Sequence, residues 1–331
     1  MHSALKRNIY VAFVFENLNP FVAQDLNSLS QYFLVLPTQW KGVKSLGSVF
    51  SVILHSDIVF VWWVTGQASA AAFVIAKLLR KKTINVAGAI GQDLKIQRRN
   101  PRATFRYILA KMTMRFVDCV VPVSYFTLRE VLANSRPKRF RVIYNAIDTD
   151  LFTPGPVRRK KMILTVAYID DPDYLKVKGL DRFATLLGML PDFQFLVIGN
   201  GANDPQVRRL FGEDSCIKQM PRRNLVRYYR EATFYCQLSR YESFGVAVAE
   251  AMACECVPVV SDSGALPEVV GECGKIVTKG DPRLAAQLIR QTWGKTRRLG
   301  RSARKRVVSE FNAVKRSNEL RDLILAVTAK V

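Results

Sequence analysis

Two glutamates, Glu242 and Glu250, lie eight residues apart in ESFGVAVAEAMACECVPVV, a stretch otherwise dominated by small apolar residues. Ionised carboxylates only accept hydrogen bonds, and hydroxyl-rich molecules supply donors for them. A carboxylate on a loop and another on the helix that follows can therefore hold two polyols at once. Between them, Gly245 lets a ligand approach the backbone at the helix start. The unpaired N–H groups there, with the positive end of the helix dipole, suit an anion such as a diphosphate. The spacing thus fits a clamp for a sugar, a diphosphate and a ribose. Taken singly, either glutamate is an ordinary helix cap or solvated side chain.

The elements that must carry these residues alternate between strands and helices. In the first half NIYVAFVF, QYFLVLP, DIVFVWWV, KTINVAGAI, CVVPVS and FRVIYNA read as buried strands, with helical patterns in ASAAAFVIAKLLRK and PRATFRYILAKMTMRFV. In the second half KMILTVAYI, FQFLVIGNG, CIKQM, ATFYCQLS, CVPVVSD and GKIV alternate with LDRFATLLGML, RNLVRYYREA, FGVAVAEAMA and PRLAAQLIRQTW. Near-continuous apolar strands separated by helices predict parallel sheets covered on both faces. The proline-containing segment DTDLFTPGPVRRKK reads as the linker. The expectation is an α/β protein of two doubly wound, Rossmann-like domains facing a cleft, residues 1–154 and 155–312, with a helix at about 313–331 packing back on the first. Ligands of such sheets bind beyond the carboxyl ends of the strands. RYESFG leaves the carboxyl end of ATFYCQLS, which puts Glu242 there.

Composition narrows the class. The chain has 331 residues, 49% hydrophobic and 23% charged, which is globular rather than disordered. Lys and Arg number 50 against 27 acidic residues, a net charge of +23. Residues 1–160 hold 23 cations and 8 carboxylates, so the excess sits mainly in the first half. Such a field favours an anionic membrane, a nucleic acid or a phosphate-bearing substrate, and otherwise serves solubility. YVAFVF is too short for a signal-peptide core, and no stretch reaches 18 uninterrupted apolar residues. The six cysteines lack paired spacing and lie mostly in apolar runs, which predicts reduced, buried thiols and a cytoplasmic protein, with a zinc site the second reading. No zinc-finger or RRM-like signature points to specific nucleic-acid recognition.

The pattern resembles the retaining glycosyltransferases of family 4, which have the GT-B fold and a Glu–seven residues–Glu motif matched here by Glu242 to Glu250. VIYNAIDTDLFTP, the Lys-Gly pair in VAYIDDPDYLKVKGLDRF, FLVIGNG and AMACECVPVVSDSGALPEVVGECGKIV are also similar to family segments. The resemblance covers about 140–275; in the first half only VVPVS fits. It implies that Glu242 contacts donor sugar hydroxyls, Glu250 the nucleotide ribose and Lys178 the donor diphosphate. Ser243, Phe244 and Gly245 would offer backbone amides, Gly199 and Gly201 would face the nucleotide, and Lys218 to Met220 would border the base. A cation at Lys178 also makes physical sense, since charge grows on a leaving diphosphate. The alternative is a solvated lysine beside a helix start.

The chain departs from the family in three places. Tyr168 stands where an Arg usually supplies a second diphosphate cation, and Arg240 is the candidate that compensates. FENLNPFV lacks the usual glycine pair. GAIGQD carries Gln92 and Asp93 where a His is common. Arg240, Tyr168 and Asp93 therefore join the candidate residues. The resemblance implies no cofactor and no essential metal, the nucleotide-sugar being a substrate, and the leaving phosphate can itself take the acceptor proton.

For the acceptor, 101–117 is the informative segment. Phe105, Ile108, Leu109, Met112 and Phe116 share one helical face, flanked by Arg102, Arg106, Lys111 and Arg115. That is the pattern of an interfacial helix, and on the pattern alone an ordinary core-packed helix is the preferred reading. With the basic first half it gives the expectation of a peripheral membrane enzyme acting on a lipid or lipid-linked glycan. KTRRLGRSARKR adds seven cations in 295–306, readable as a solvated helix face. Alternatives are a soluble or nucleic-acid acceptor, or a catalytically impaired GT-B protein that binds a polyanion or partner enzyme.

Overall fold

The structure is a computed structural model that describes residues 8–63, 67–88, 101–167, 172–199, 205–212, 215–218 and 220–329, with the backbone alone at 101–107, 172–173, 206–207 and 216–218. The chain forms two compact units, residues 1–146 with 313–331, and residues 147–312.

Among its described residues the first unit is built on five parallel strands, β1 (Tyr10–Phe15), β2 (Leu34–Gln39), β3 (Ile58–Trp62), β4 (Lys82–Ala87) and β5 (Cys119–Pro122), in the order β2-β1-β3-β4-β5. Its described helices are α1 (Pro20–Ser30), α2 (Leu46–Leu54), α3 (Gln67–Leu78), α4 (Pro101–Phe116), α5 (Tyr125–Asn134) and, from the end of the chain, α14 (Ala313–Thr328). All five residues of β3 and all four of β5 are buried, as strands covered on both faces must be. The returning α14 is fastened by Arg316, only 4% exposed, whose guanidinium forks Asp25 of α1 at 2.6 and 2.7 Å. The same guanidinium donates to the carbonyls of Ile143 and Tyr144. FRVIYNA is therefore not a strand, contrary to the expectation from its apolar run. It touches β5 through one isolated bridge, Val120 to Phe140, and a bond from the Ile143 N–H to the Pro122 carbonyl, and its later carbonyls turn to Arg316.

Among its described residues the second unit has six parallel strands, β6 (Lys160–Val166), β7 (Gln194–Gly199), β8 (Cys216–Lys218), β9 (Ala232–Gln237), β10 (Val257–Ser261) and β11 (Lys275–Val277), in the order β11-β10-β9-β6-β7-β8. The order reverses direction between β6 and β9, which makes a topological switch point of the kind where doubly wound sheets take ligands. Helices α6 (Pro172–Val177) and α7 (Leu180–Met189) follow β6; α8 (Pro205–Phe211) follows β7; α9 (Arg222–Glu231) precedes β9. Then come α10 (Val246–Ala253) after β9, α11 (Leu266–Val270), α12 (Pro282–Thr292) and α13 (Thr296–Glu310).

The unit begins at Ile147, so the segment read as a linker belongs with the second sheet. The reason is packing. Phe152 is fully buried edge-on to Tyr229, and Arg230 donates to the carbonyl and hydroxyl of Thr153 at 2.7 Å each. Arg159 donates to the carbonyls of Ala232 and Cys254. The basic run on α13 is likewise more than a solvated face. Arg304 donates to the carbonyls of Phe152 and Ala253, and Arg306 to those of Glu268 and Val269. Cys119, Cys236, Cys254 and Cys256 are free and buried.

Candidate functional site

The connections leaving β6 and β9, the two strands at the switch point, bring Lys178 and Glu242 together. Lys178 closes α6, its N–H bonded to the carbonyl of Tyr174, and Gly179 follows in the left-handed region at φ +71°. A Cβ at Gly179 would stand 2.1 Å from the carbonyl oxygen of Leu238, so only glycine lets the α6–α7 turn approach the end of β9 this closely. Lys178 Nζ then reaches Glu242 Oε2 at 3.1 Å, with 23% and 14% of the two side chains exposed.

Glu242 is oriented from below. Gln237, the last residue of β9 and buried, donates its amide N–H to the same Oε2 at 2.7 Å and to Ser239 Oγ at 3.1 Å. Its own carbonyl oxygen accepts from the Tyr235 hydroxyl at 3.2 Å. That hydroxyl also lies 3.3 Å from the N–H of Val166 on β6. The Glu242 backbone is held by Ala265, whose N–H donates to its carbonyl at 2.8 Å. Gly264 at φ +64° permits this, since a Cβ there would lie 2.1 Å from the Glu242 oxygen.

Beyond Glu242 the loop runs through Ser243 into α10. Phe244 is 1% exposed and packs edge-on to Phe311 with ring centroids 5.3 Å apart, so its side chain is core and only its backbone could meet a ligand. Gly245 is the N-cap at φ +95°, and the first turn of α10 has no side-chain cap. A Cβ on Gly245 would lie 3.7 Å from Glu242 Cγ, so the positive end of the α10 dipole adjoins Glu242.

Glu250 is placed differently. It lies in α10 with its side chain 4% exposed; Arg222 donates to Oε1 and the Tyr229 hydroxyl to Oε2 at 3.2 Å. Burial pushes its carboxyl up from the ordinary value, with Arg222 and Tyr229 opposing the shift. Burial and the adjoining Glu250 charge raise the Tyr229 hydroxyl well above its usual range. Arg222 lies over the Phe152 ring, 5.2 Å from the centroid. Glu250 is thus held in a buried ion pair with Arg222.

Gly199 ends β7 and pairs in register with Lys218 at the end of β8, both on the carboxyl edge of the sheet. A Cβ on Gly199 would strike the Ala167 carbonyl oxygen at 1.7 Å. Met220 lies just past β8, half-buried. Arg240 does not face this group. It forks Asp181 at 2.7 and 2.8 Å and donates to the Lys176 carbonyl. Burial would raise the Asp181 carboxyl, but the Arg240 bonds hold it below its ordinary value. The Arg240 charge is therefore spent within the α6–α7 turn rather than offered as a second diphosphate cation. Tyr168, Gly201, Gln92 and Asp93 lie outside the described residues, as does the side chain of Lys218.

Three contributors escape sequence reasoning. Gln237 has a legible signal, a polar residue closing the otherwise buried strand ATFYCQ. Gly264 has a weaker one, a glycine in a turn. Arg222 has none, because PRRN reads as a solvated helix start.

Residues 160–294 match the family model described as Glycosyl transferases group 1. The MMP α-(1→4)-mannosyltransferase of Mycolicibacterium hassiacum is 28% identical over 221 residues, covering 62% of this chain and 53% of that protein. The phosphatidyl-myo-inositol mannosyltransferase of Mycobacterium tuberculosis is 31% identical over 155 residues, 44% of this chain and 41% of that protein. The chain thus matches about half the length of these curated relatives. Among solved structures, a sucrose-phosphate synthase from Thermosynechococcus elongatus superposes with a TM-score of 0.75 at 18% identity, covering 97% of this chain and all of that one. HepE of Anabaena, in complex with UDP and glucose, gives 0.76 at 16% identity, covering 96% and 100%. At such identities the likeness establishes the architecture: two parallel-sheet Rossmann-like units of the GT-B fold.

Proposed function

We propose that the chain is a glycosyltransferase that moves a sugar, with retention, from a nucleotide-sugar donor to a lipid or lipid-linked glycan at a membrane surface. The observation that carries this reading is the Lys178–Glu242 contact at the switch point, beside the uncapped first turn of α10. The Glycosyl transferases group 1 match falls on the same unit, and HepE, of the same fold, is solved with UDP and glucose.

In this reading the donor diphosphate lies against the α10 N-terminus and Lys178. The backbone amides of the Ser243–Gly245 turn contribute, and Glu242 accepts hydrogen bonds from the sugar hydroxyls. Glu250 takes the ribose, with Gly199 and Gly201 facing the nucleotide and Lys218 and Met220 bordering the base. The bond from the anomeric carbon to the phosphate oxygen breaks as a bond to the acceptor oxygen forms on the same face. The acceptor proton passes to the leaving phosphate. Charge growing on the diphosphate meets a cation and helix amides fixed in advance, which lowers the barrier without reorganisation at the moment of reaction. The lipid acceptor is supported by the named activity of the mycobacterial relative, on phosphatidyl-myo-inositol, and by the basic first half of the chain.

Thermal melting tests the donor site. A ligand that binds only the native state stabilises it by about 2.7 kcal/mol at a hundred times its dissociation constant. UDP, GDP, ADP or their sugars should raise the melting temperature at millimolar concentration. Unchanged curves with all of them would overturn the reading.

A further inference from the structure

The first unit carries an apolar surface that its own core does not need. Helix α4 has two apolar faces. Ala110, Met114 and Val117, at helical spacing, are buried in one core cluster with Ala87 and Val120 of the sheet. Ile108, Met112 and Phe116, on another face, are 52%, 55% and 46% exposed. Phe116 stacks on Phe73 of α3 with centroids 6.4 Å apart, and the patch continues through the exposed Val74 and Leu78. Between α3 and α4 runs a groove of about 410 Å³ floored by Ala70, Phe73, Leu109 and Thr113, with Val74 and Met112 at its sides. A second hollow on the far side of Met112 and Phe116 joins the patch to Leu132 of α5, itself exposed.

Large contiguous apolar surface on a folded unit marks an interaction site. Its rim decides the partner. Lys111, Arg115 and Arg136 line the second hollow, and Lys138 the first. Residues 101–142 hold nine cations against two carboxylates, Asp118 and Glu130. Asp118 is already engaged by Lys77 at 3.2 Å and by Thr83. Apolar side chains ringed by long cationic ones match a bilayer, where acyl chains lie beneath anionic headgroups and cations snorkel upward. Among the described residues no helix is long and apolar enough to cross a membrane, so the contact is peripheral.

We propose that this face docks on a bilayer containing anionic phospholipid, with Val74, Leu78, Ile108, Met112 and Phe116 entering the acyl region and the α3–α4 groove taking one acyl chain. The inference deepens the lipid-acceptor reading, naming the surface and the lipid class, and it can fail by itself. Each cation near an anionic leaflet is worth roughly fivefold in affinity.

The experiment is co-sedimentation of the full chain with phosphatidylglycerol or phosphatidylcholine vesicles across a salt series. The wild type should bind phosphatidylglycerol at least tenfold more tightly and lose that preference as salt rises. Lys111→Gln, Arg115→Gln, Arg136→Gln and Lys138→Gln together should weaken binding to phosphatidylglycerol about six-hundredfold. Met112→Glu with Phe116→Glu should abolish binding even at low salt. Both sites are exposed, so wild-type melting temperatures are expected and serve as the folding control. Failure of the wild type to bind either vesicle, as for a face that meets an acidic protein instead, would overturn the proposal. So would undiminished binding of the Met112→Glu, Phe116→Glu variant. The nucleotide-induced melting shift, read in the same samples, reports on the donor site separately.

Discussion

Lys178 Nζ lies 3.1 Å from Glu242 Oε2 although 64 residues separate them in the chain. The contact spans the two strands at which the order of the second sheet reverses. In the proposed donor site its consequence is kinetic. Lys178→Ala should lower kcat for sugar transfer by about ten- to a hundredfold, the equivalent of a charge-assisted hydrogen bond of about 1.5–3 kcal/mol. Glu242→Ala should lower turnover more than nucleotide affinity. The two losses should combine less than multiplicatively, because the groups share one interaction. Initial rates over a range of donor concentration separate kcat from KM, and wild-type turnover in the double variant would sink the assignment.

Glu250 predicts a pH signature. Its folded carboxyl is raised above the ordinary value of about 4.5 by burial, so the folded state binds its proton more tightly than the unfolded chain. Ionisation then works against folding. The penalty is absent below about 4.5, grows as pH rises through the interval up to the folded value, and is constant above it. Glu250→Gln should therefore match the wild type near pH 4 and gain in relative melting temperature toward pH 7, while nucleotide affinity falls. A gap that shrinks with rising pH would reverse the assignment.

Gly264→Ala should damage the site without touching a polar side chain. The position is left-handed, and the added Cβ would meet the Glu242 carbonyl oxygen at 2.1 Å. The strain is about 2 kcal/mol or more, a fall of roughly 4–8 °C in melting temperature, with KM for the donor rising. Gly47→Ala is the matched control. It lies in α2 with nothing within 4 Å of its Cβ, so it should stabilise by about 0.5–1 kcal/mol.

Arg316→Met should cost about 3–5 kcal/mol, because it leaves the fully buried Asp25 carboxylate with the Trp62 indole N–H at 3.0 Å as its remaining described side-chain donor. Pairing it with Asp25→Leu should recover much of the loss, since the desolvated charge goes too. Urea unfolding followed by tryptophan fluorescence reads both, and equal midpoints for the two variants would contradict the account.

Much of this molecule is legible in its residues. Runs such as ATFYCQ and YVAFVF are apolar on both faces, so they declare parallel, doubly covered strands, and all eleven described strands fall within runs of this kind or within a residue or two of their ends. Glu242 is also legible as a loop carboxylate at the carboxyl end of a strand, and the resemblance to family 4 glycosyltransferases singles out Lys178. Strand order is not. Parallel neighbours are joined by crossovers, and nothing in β6 or β9 itself says that they lie side by side. That adjacency alone brings Lys178 to Glu242.

The same limit applies to single side chains. Glu250 reads as a lone carboxylate in the sequence, whereas in the fold Arg222, from a distant helix, already donates to it. Arg240 reads as an available cation until Asp181 takes its guanidinium. Periodicity marks α4 as amphipathic but leaves its direction open, because Ala110, Met114 and Val117 form a second apolar face at the same spacing. The sheet surface selects that face, with its smaller entry at Ala110, for close packing and turns Ile108, Met112 and Phe116 outward. Local pattern determines which segments become strands and helices. Long-range packing decides which charges are paired and which apolar face remains exposed, because both depend on neighbours the chain supplies from far away.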